Sequence, residues 1–447
     1  MSPDSAGTRC LSRSGGSGPR EGGDETAGPE AAGAGRYPSA LAGRSHTAGR
    51  MGLYRLVSLL FAWQVAASVC YYAVFAATPF FRGEFELSGA AVGLVVTALT
   101  LGYATFLLPL GALTDRFGEH RTLTVGLVGV SAGAVLVARA WSFPTLLAGA
   151  FLLGSLYGTA MPGTNKAVFD NVPPGRRNLV VGIKQVGVTA GSGASALLVT
   201  GIAGVLFWEA GFYLAAGVGA AVAAGFWLAY RDGDDGGEPS YPDFRRLSRN
   251  RPYRALTAAG VCLGAALFTT TGYTVLHVAD SVGASVAFGG VVLAGVQVSG
   301  SVGRLVTGWL ADALPGDPTR RIGAILLAQA LASAALLGAV GAVGGRTPTA
   351  AALVALGFFL LGFTGVYYSC MATVVSAEEM GGATGGGQLA LVGGALFAPP
   401  AFGLLVDAYG YREGWLLLAG ITAVGAGFVV RVITADPPDD VTAAAAD

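Results

Sequence analysis

Apolar stretches about 20 residues long recur about twelve times along this chain, and no other feature restricts its fold so strongly. A run of that length as a helix crosses a hydrocarbon layer of roughly 30 Å, with every backbone donor and acceptor satisfied inside the segment. The runs read approximately 54–80, 89–113, 122–141, 144–168, 179–206, 210–230, 254–279, 285–311, 321–343, 348–375, 384–406 and 413–433. The expected class is an all-α polytopic membrane protein of about twelve transmembrane helices. Composition agrees. Charged residues make up 12% of the chain, half the roughly 25% of soluble domains. Too few polar side chains exist to clothe two or three soluble domains. The 71 glycines suit membrane helices, where small residues let backbones approach.

Several function classes fall away at this level. A net charge of zero gives no footprint for nucleic acid. Cys70, Cys262 and Cys370 sit singly inside apolar runs, with no Cys or His spacing for a metal, and read as packing residues. No nucleophile motif or phosphate-binding loop appears, so neither an enzyme nor a cofactor is expected. A membrane sensor would carry a soluble output domain, and none is legible.

The chain divides into an N-terminal tail (1–50), a six-helix half (51–230), a polar central loop (231–254), a second six-helix half (255–433) and a C-terminal tail (434–447). The first tail is too poor in apolar residues to fold; it reads as disordered, or as sequence upstream of a true start at Met51. The halves echo one another. GALTDRFGEHR (111–121) follows the second span and GWLADALPGDPTRR (308–321) the eighth, while Glu209 and Glu413 each precede the sixth helix of a half. Such pseudo-symmetry is the ground plan of rocking transporters. Arginine is unevenly shared. One set of loops and span ends holds Arg116, Arg121, Arg176, Arg177, Arg320, Arg321 and the central-loop arginines; the other holds Arg82, Arg139, Arg346 and Arg412. Arginine-rich loops stay inside, so a cell-membrane protein with both termini cytoplasmic is expected.

On these residues the chain resembles the major facilitator superfamily. Gly111, Asp115, Arg116, Gly118 and Arg121 match that superfamily's signature between helices 2 and 3, with His120 where a basic residue is usual. Gly308, Asp312, Arg320 and Arg321 form a degenerate second copy, spread by an insertion around Pro315. The resemblance implies alternating access, with Gly111, Asp115, Arg116, Gly118, Arg121 and Asp312 as a conformational latch. Two shorter elements narrow it. GIKQVG (182–187) is similar to the opening of helix 5 in cyanate- and nitrate-type permeases. GRLVTGWLAD (303–312) is similar to helix 8 of monocarboxylate and oxalate/formate-type carriers, where an arginine meets the substrate carboxylate.

Charge placement points the same way. Every carboxylate past Met51 falls in a loop or at a span end, whereas Lys184 and Arg304 fall within spans. Both lie about 10–12 Å inward of the arginine-rich face at 1.5 Å per residue, on helices that the resemblance places opposite one another. A charge in the bilayer costs at least about 2.5–3.5 kcal/mol unless it lines water or has a partner. With no acid inside, an anionic substrate is the partner expected. Lys166 and Lys184 are the only lysines among 27 basic residues; a compact ammonium is thus retained only near this region. Lys184, Arg304, Gln185 and Lys166 are the candidate substrate-binding residues. Lys184 could instead snorkel to the interface, Arg304 could bind carbonyls or Asp312, and Lys166 could pair with Asp170 at i+4. Asn165, Gln297 and Gln388 could supply hydrogen bonds, and Tyr71, Tyr72, Tyr103 and Tyr367 could line a pocket or simply pack. Pro162, Gly385–Gly387 and Pro399–Pro400 read as interruptions of spans 4 and 11. His277 and Asp280, at i and i+3, read as a proton-handling pair or as a plain interfacial cap.

The expected function is therefore a monomeric secondary carrier in the lipid bilayer, moving a small organic or inorganic anion, with or without a coupling ion. The competing reading is proton-driven efflux of drugs or cationic metabolites. It is disfavoured because that chemistry calls for a mid-span carboxylate.

Overall fold

The computed structural model describes residues 52–230, 241–376 and 378–435, all within the compact unit Gly49–Asp447. Both tails and the first part of the central loop lie outside the described residues, as do the expectations placed on them.

Twelve helices are long and apolar enough to cross a membrane. The first six are Leu53–Ala76, Gly89–Phe117, Glu119–Ala138, Phe143–Asn171, Leu179–Ile202 and Glu209–Ala229. The second six are Arg251–Val282, Val286–Ala313, Pro318–Val340, Arg346–Ala372, Met380–Tyr409 and Tyr411–Ile433. They are spans 1 to 12 below. Local chemistry sets their starts. Ser88 Oγ accepts from the Ala91 amide and Ser285 Oγ from the Phe288 amide, each 3.2 Å, capping spans 2 and 8 at corresponding places in the two halves. Asn250 caps span 7 and Asp317 caps span 9, each at 2.9 Å. Gly118 makes the tight corner between spans 2 and 3 at φ +79°, where a Cβ would be strained.

The expected interruptions are partly relocated. Span 4 breaks at Gly158–Thr159, one turn before Pro162, because a proline ring excludes the carbonyl four residues back. Span 11 breaks at residues 395–397. Pro399 and Pro400 lack the amides that would reach the carbonyls of Ala395 and Leu396. Thr97 Oγ1 of span 2 donates to both instead, at 3.4 and 3.0 Å. Gly385–Gly387 do not open span 11; they lie inside the continuous helix Met380–Gly394, where Gly386 and Gly387 admit Tyr253 and Met371. The first span stops at Ala76, and Thr78–Glu84 forms a separate short helix. Span 10 breaks at Leu361–Gly362, which proline did not announce.

Packing repeats between halves. Span 1 lies on span 5, span 2 on span 4 and span 3 on span 6; spans 7, 8 and 9 lie on 11, 10 and 12 in the same order. Lipid offers no hydrophobic drive for helix association, so backbone proximity supplies the dispersion contact. In span 2, a Cβ on Gly102 would stand 2.0 Å from the Phe151 carbonyl oxygen of span 4; in span 8, one on Gly303 would stand 2.0 Å from that of Phe358 in span 10. Corresponding pairs of spans in the two halves thus use the same kind of close glycine-to-carbonyl contact.

Contacts crossing between halves gather toward the arginine-poor end. Spans 2 and 11 meet there, as do spans 5 and 8. Both oxygens of Asp407 accept amides at the start of span 2, Gly89 at 2.8 Å and Ala90 at 3.0 Å. An Arg82–Asp280 ion pair bridges the short helix to span 7. Tyr273 Oη donates to the carbonyls of Gly89 (2.7 Å) and Pro399 (2.9 Å). Thr78 Oγ1 reaches the Gly272 carbonyl at 2.9 Å. That end is closed.

Candidate functional site

Arg304 is placed by the face of span 8 on which it falls. Gly300, Gly303, Thr307 and Ala311 are buried, whereas Leu305 and Trp309 are 69% and 68% exposed on the outer face. Arg304, half-buried, is turned inward with the first group. Its Nε donates to the Leu361 carbonyl at 3.2 Å, at the unheralded break of span 10. That carbonyl lies at the break, and the arginine stem passes Gly365, where an added Cβ would stand in ordinary contact, 4.0 Å, with its Cβ and Cγ. Thr364 Oγ1 shares the same carbonyl at 3.2 Å. Because Nε is used, the two terminal nitrogens remain to face whatever lies between the halves.

What lies there is phenolic. Tyr72 of span 1 and Tyr368 of span 10 are within electrostatic reach of the Arg304 guanidinium. Tyr368 Oη donates to Gln388 Oε1 of span 11. Behind Tyr72 stands a cluster from the first half. Tyr71 stacks on Tyr157 at 4.1 Å and meets Tyr72 edge-on at 5.2 Å; Tyr103 joins Tyr157 at 5.6 Å. Ser68 shares a hydrogen bond with Tyr157 Oη at 3.2 Å. Tyr71 is 1% exposed, and its hydroxyl has no partner among the described residues. The site thus offers a half-satisfied guanidinium from the second half and an array of rings and hydroxyls from the first. Such a surface is chemically suited to one negative charge and an amphipathic body.

Lys184 is arranged differently. Span 5 presents Lys184, Gly187 and Gly191 along one stripe, and Gly187 and Gly191 lie against Phe61, Gln64 and Val65 of span 1. Lys184 is 3% exposed; its ammonium donates to Thr164 Oγ1 at 2.7 Å and Asn165 Oδ1 at 2.5 Å, both in span 4. Its neighbours are neutral oxygens of its own half, not the Arg304 group. Gln185 is exposed on the opposite face of span 5. Lys166 pairs with Asp170 at 2.6 Å, the i+4 alternative, because a carboxylate one turn away on the same face is always within reach. Gln297 is buried in span 8, and Tyr367 is buried with its hydroxyl toward Gly387.

At the signature corner, Asp115 is half-buried near the end of span 2, Arg116 and Arg121 are exposed, and Arg116 lies over the Phe117 ring at 5.3 Å. Gly111 approaches Pro162 of span 4, with an added Cβ 3.5 Å away. Asp312, near the end of span 8, is exposed. Sequence reasoning treated Glu119 as one more span-end charge. It is 3% exposed and accepts from Tyr230 Oη at 2.7 Å and Asn171 Nδ2 at 3.3 Å, which ties spans 3, 4 and 6 at one point. Among the described residues every carboxylate within a span stands in a terminal turn of its helix, and no His, Cys, Asp and Glu group could hold a metal.

Comparison with known proteins sets this architecture in context. The chain is 27% identical over 372 residues to the hexuronate transporter of Bacillus subtilis, covering 79% of this chain and 88% of that protein. It is 24% identical to the probable sulfoacetate transporter SauU of Cupriavidus necator (81% and 90% covered) and 25% identical to monocarboxylate transporter 13 of Bos taurus (79% and 82% covered). Among solved structures, a bacterial homolog of the human lysosomal transporter Spinster, inward-facing and occupied, superposes with a TM-score of 0.71 at 17% identity, over 85% of this chain and 96% of that one. The nucleoside transporter NupG gives 0.70 at 16% identity, over 85% and 100%. Residues 60–376 match the family model described as Major Facilitator Superfamily, and with twelve spans in two matched halves this multi-pass membrane protein belongs to that superfamily.

Proposed function

We propose that this protein is a secondary transporter that carries a small anion across the membrane by alternating access, with the negative charge held at Arg304 between the halves. The observation that carries this reading is the guanidinium itself. It stands within electrostatic reach of Tyr72 of the opposite half and Tyr368 of its own, and has a backbone carbonyl rather than a carboxylate as its hydrogen-bonded neighbour. An anion that completes its coordination touches both halves at once, which couples binding to their rocking. Three relatives are named for hexuronate, sulfoacetate and monocarboxylate, each a carboxylate-bearing anion, which supports an organic anion here. Lys184, tied to span 4, adds positive potential at similar depth. Lys166 is left out of the proposed site because Asp170 occupies it. Cation or drug efflux is disfavoured by the confinement of carboxylates to helix ends. The test is thermal stabilisation of the purified protein by carboxylates, nitrate, nitrite and cyanate. At least one should raise the melting temperature of the wild type and not of Arg304→Gln; stabilisation that survives in Arg304→Gln would refute the assignment.

The arginine-rich end is assigned to the cytoplasm, and the closed end to the outside. In a variant stripped of native cysteines, Arg320→Cys should react with a membrane-impermeant maleimide only after the cells are opened. Trp141→Cys, 82% exposed at the other end, should react in intact cells. The reverse pattern would invert the orientation.

The signature corner is assigned as the latch of the state in which the cytoplasmic ends meet. Asp115→Asn should leave folding intact and slow transport about two- to fivefold, the range of a 0.3–1 kcal/mol contact at a helix end. Wild-type turnover in that variant would remove Asp115 from the cycle.

A further inference from the structure

His277 lies in span 7 one turn from the Asp280 carboxylate, but the two do not pair. Asp280 is taken by Arg82 and by Tyr411 Oη at 2.8 Å. His277 is 3% exposed and wedged against span 12, with its ring 4.9 Å from Tyr411 and 5.3 Å from Trp415. Trp415 Nε1 donates to His277 Nδ1 at 3.4 Å, and Ser281 Oγ is 3.1 Å from the same nitrogen. An indole nitrogen can only donate, so Nδ1 must carry a lone pair. The ring is the neutral Nε2–H tautomer, and Nε2 has no partner among the described residues.

We propose that His277 is a proton-binding site that operates the closed gate: a proton entering from the arginine-poor side lands on Nδ1 and favours separation of the two halves there. The chemistry is local. On protonation Nδ1 gains a hydrogen that Ser281 Oγ, 3.1 Å away, can accept, and it meets the Trp415 N–H donor against donor, so the indole bond is lost. The imidazolium is then a buried cation with Nε2–H still unpaired, which is costly while the gate stays shut. It also puts a cation one turn from Asp280 and against Tyr411, which donates to that carboxylate, so the new charge acts on the Arg82–Asp280 pair that joins span 7 to the first half. The charged and titratable groups that the surrounding elements carry at this end are Tyr273 and Asp280 on its own helix, Arg82 and Glu84 on the short helix, Asp407 and Tyr409 on span 11, Tyr411, Arg412 and Glu413 on span 12, and Arg346 on span 10, whose guanidinium donates to the Gly283 carbonyl at 3.3 Å; of these Tyr411 meets the ring, at 4.9 Å. Opening the gate would expose His277 and Asp280 to water and remove the cost. Because the open state accepts the proton more readily than the closed one, a fall in pH shifts the population toward open.

This inference rests on the alternating-access reading, and the experiment separates the two. Spin labels at Glu84 and Thr347, exposed in the first and second halves at the closed end, report its width in the full-length protein in nanodiscs. Between pH 7.5 and 5.5 the wild type should gain a longer-distance population. His277→Gln, which remains neutral, should keep the short distance. Trp415→Phe removes the donor that competes with the proton, so its transition should move up by about half to one pH unit, the equivalent of one neutral hydrogen bond. An unresponsive wild type, the same acid response in His277→Gln, or an unmoved midpoint in Trp415→Phe would each overturn the proton site. Gly403→Val at pH 7.5 is the control for the reading beneath it. If that wedge opens the labelled ends and acid does not, only the proton site fails; if neither opens them, alternating access fails as well.

Discussion

Arg304→Gln should weaken anion binding about ten- to a hundredfold while leaving the protein folded. A charge-assisted hydrogen bond is worth about 1.5–3 kcal/mol, and the charge at this position is the one that faces the opposite half. The fold should survive because Thr364 Oγ1 still serves the Leu361 carbonyl at 3.2 Å, and because removing a cation from low dielectric relieves a desolvation cost. Arg304→Lys should recover little. Arginine spends Nε on Leu361 and keeps two parallel donors for a carboxylate; an ammonium must choose one partner or the other. Lys184→Gln should cost less than Arg304→Gln, since the Lys184 ammonium is already held by Thr164 and Asn165. Titration of anion-induced stabilisation in the three variants ranks them. A Lys184→Gln loss as large as that of Arg304→Gln would mean the ammonium leaves span 4 to join the anion.

Valine at two glycines should produce opposite phenotypes from the same steric insult. A Cβ on Gly102 would stand 2.0 Å from the Phe151 carbonyl oxygen within the first half. Those helices stay together throughout a rocking cycle, so Gly102→Val must force a packed core apart and should cost about 1–3 kcal/mol or more, seen as a clear fall in melting temperature. A Cβ on Gly403 would stand 2.3 Å from the Gly89 backbone across the closed end. In the proposed cycle those helices separate, so Gly403→Val should spare stability and hold the gate open, lengthening the distance between labelled ends. Equal destabilisation by both would show that the contact between spans 2 and 11 is a permanent core contact.

The sequence was a good guide to what depends on period and composition. Twelve spans, two halves, the corner at Gly118 and the Lys166–Asp170 pair all follow from local spacing. It was a poorer guide to partners. Lys184 and Arg304 look alike in a hydropathy trace, at similar depth on helices that do pack together, yet one turns into its own half and the other toward the seam. That choice depends on which face of each helix meets a neighbour, the face marked by Gly187 and Gly191 beside Lys184 and by Gly300 and Gly303 beside Arg304. The Leu361–Gly362 break that receives Arg304 contains no proline, so nothing in the local pattern marks it. Glu119 and His277 lie near span ends, where the spacing puts them, but their partners were not legible for a related reason. A polar residue near a span end reads as solvated until Tyr230, or Trp415, arrives from a helix more than a hundred residues away.

Counterflow tests the central account most directly. Proteoliposomes loaded with a high concentration of an unlabelled anion that stabilises the wild type are diluted into a trace of the same anion, labelled. A carrier whose site faces one side at a time should draw label in above its equilibrium level before it decays, and Arg304→Gln vesicles should show no overshoot. Label that rises monotonically to equilibrium in wild-type vesicles, for every anion that binds, would contradict alternating access.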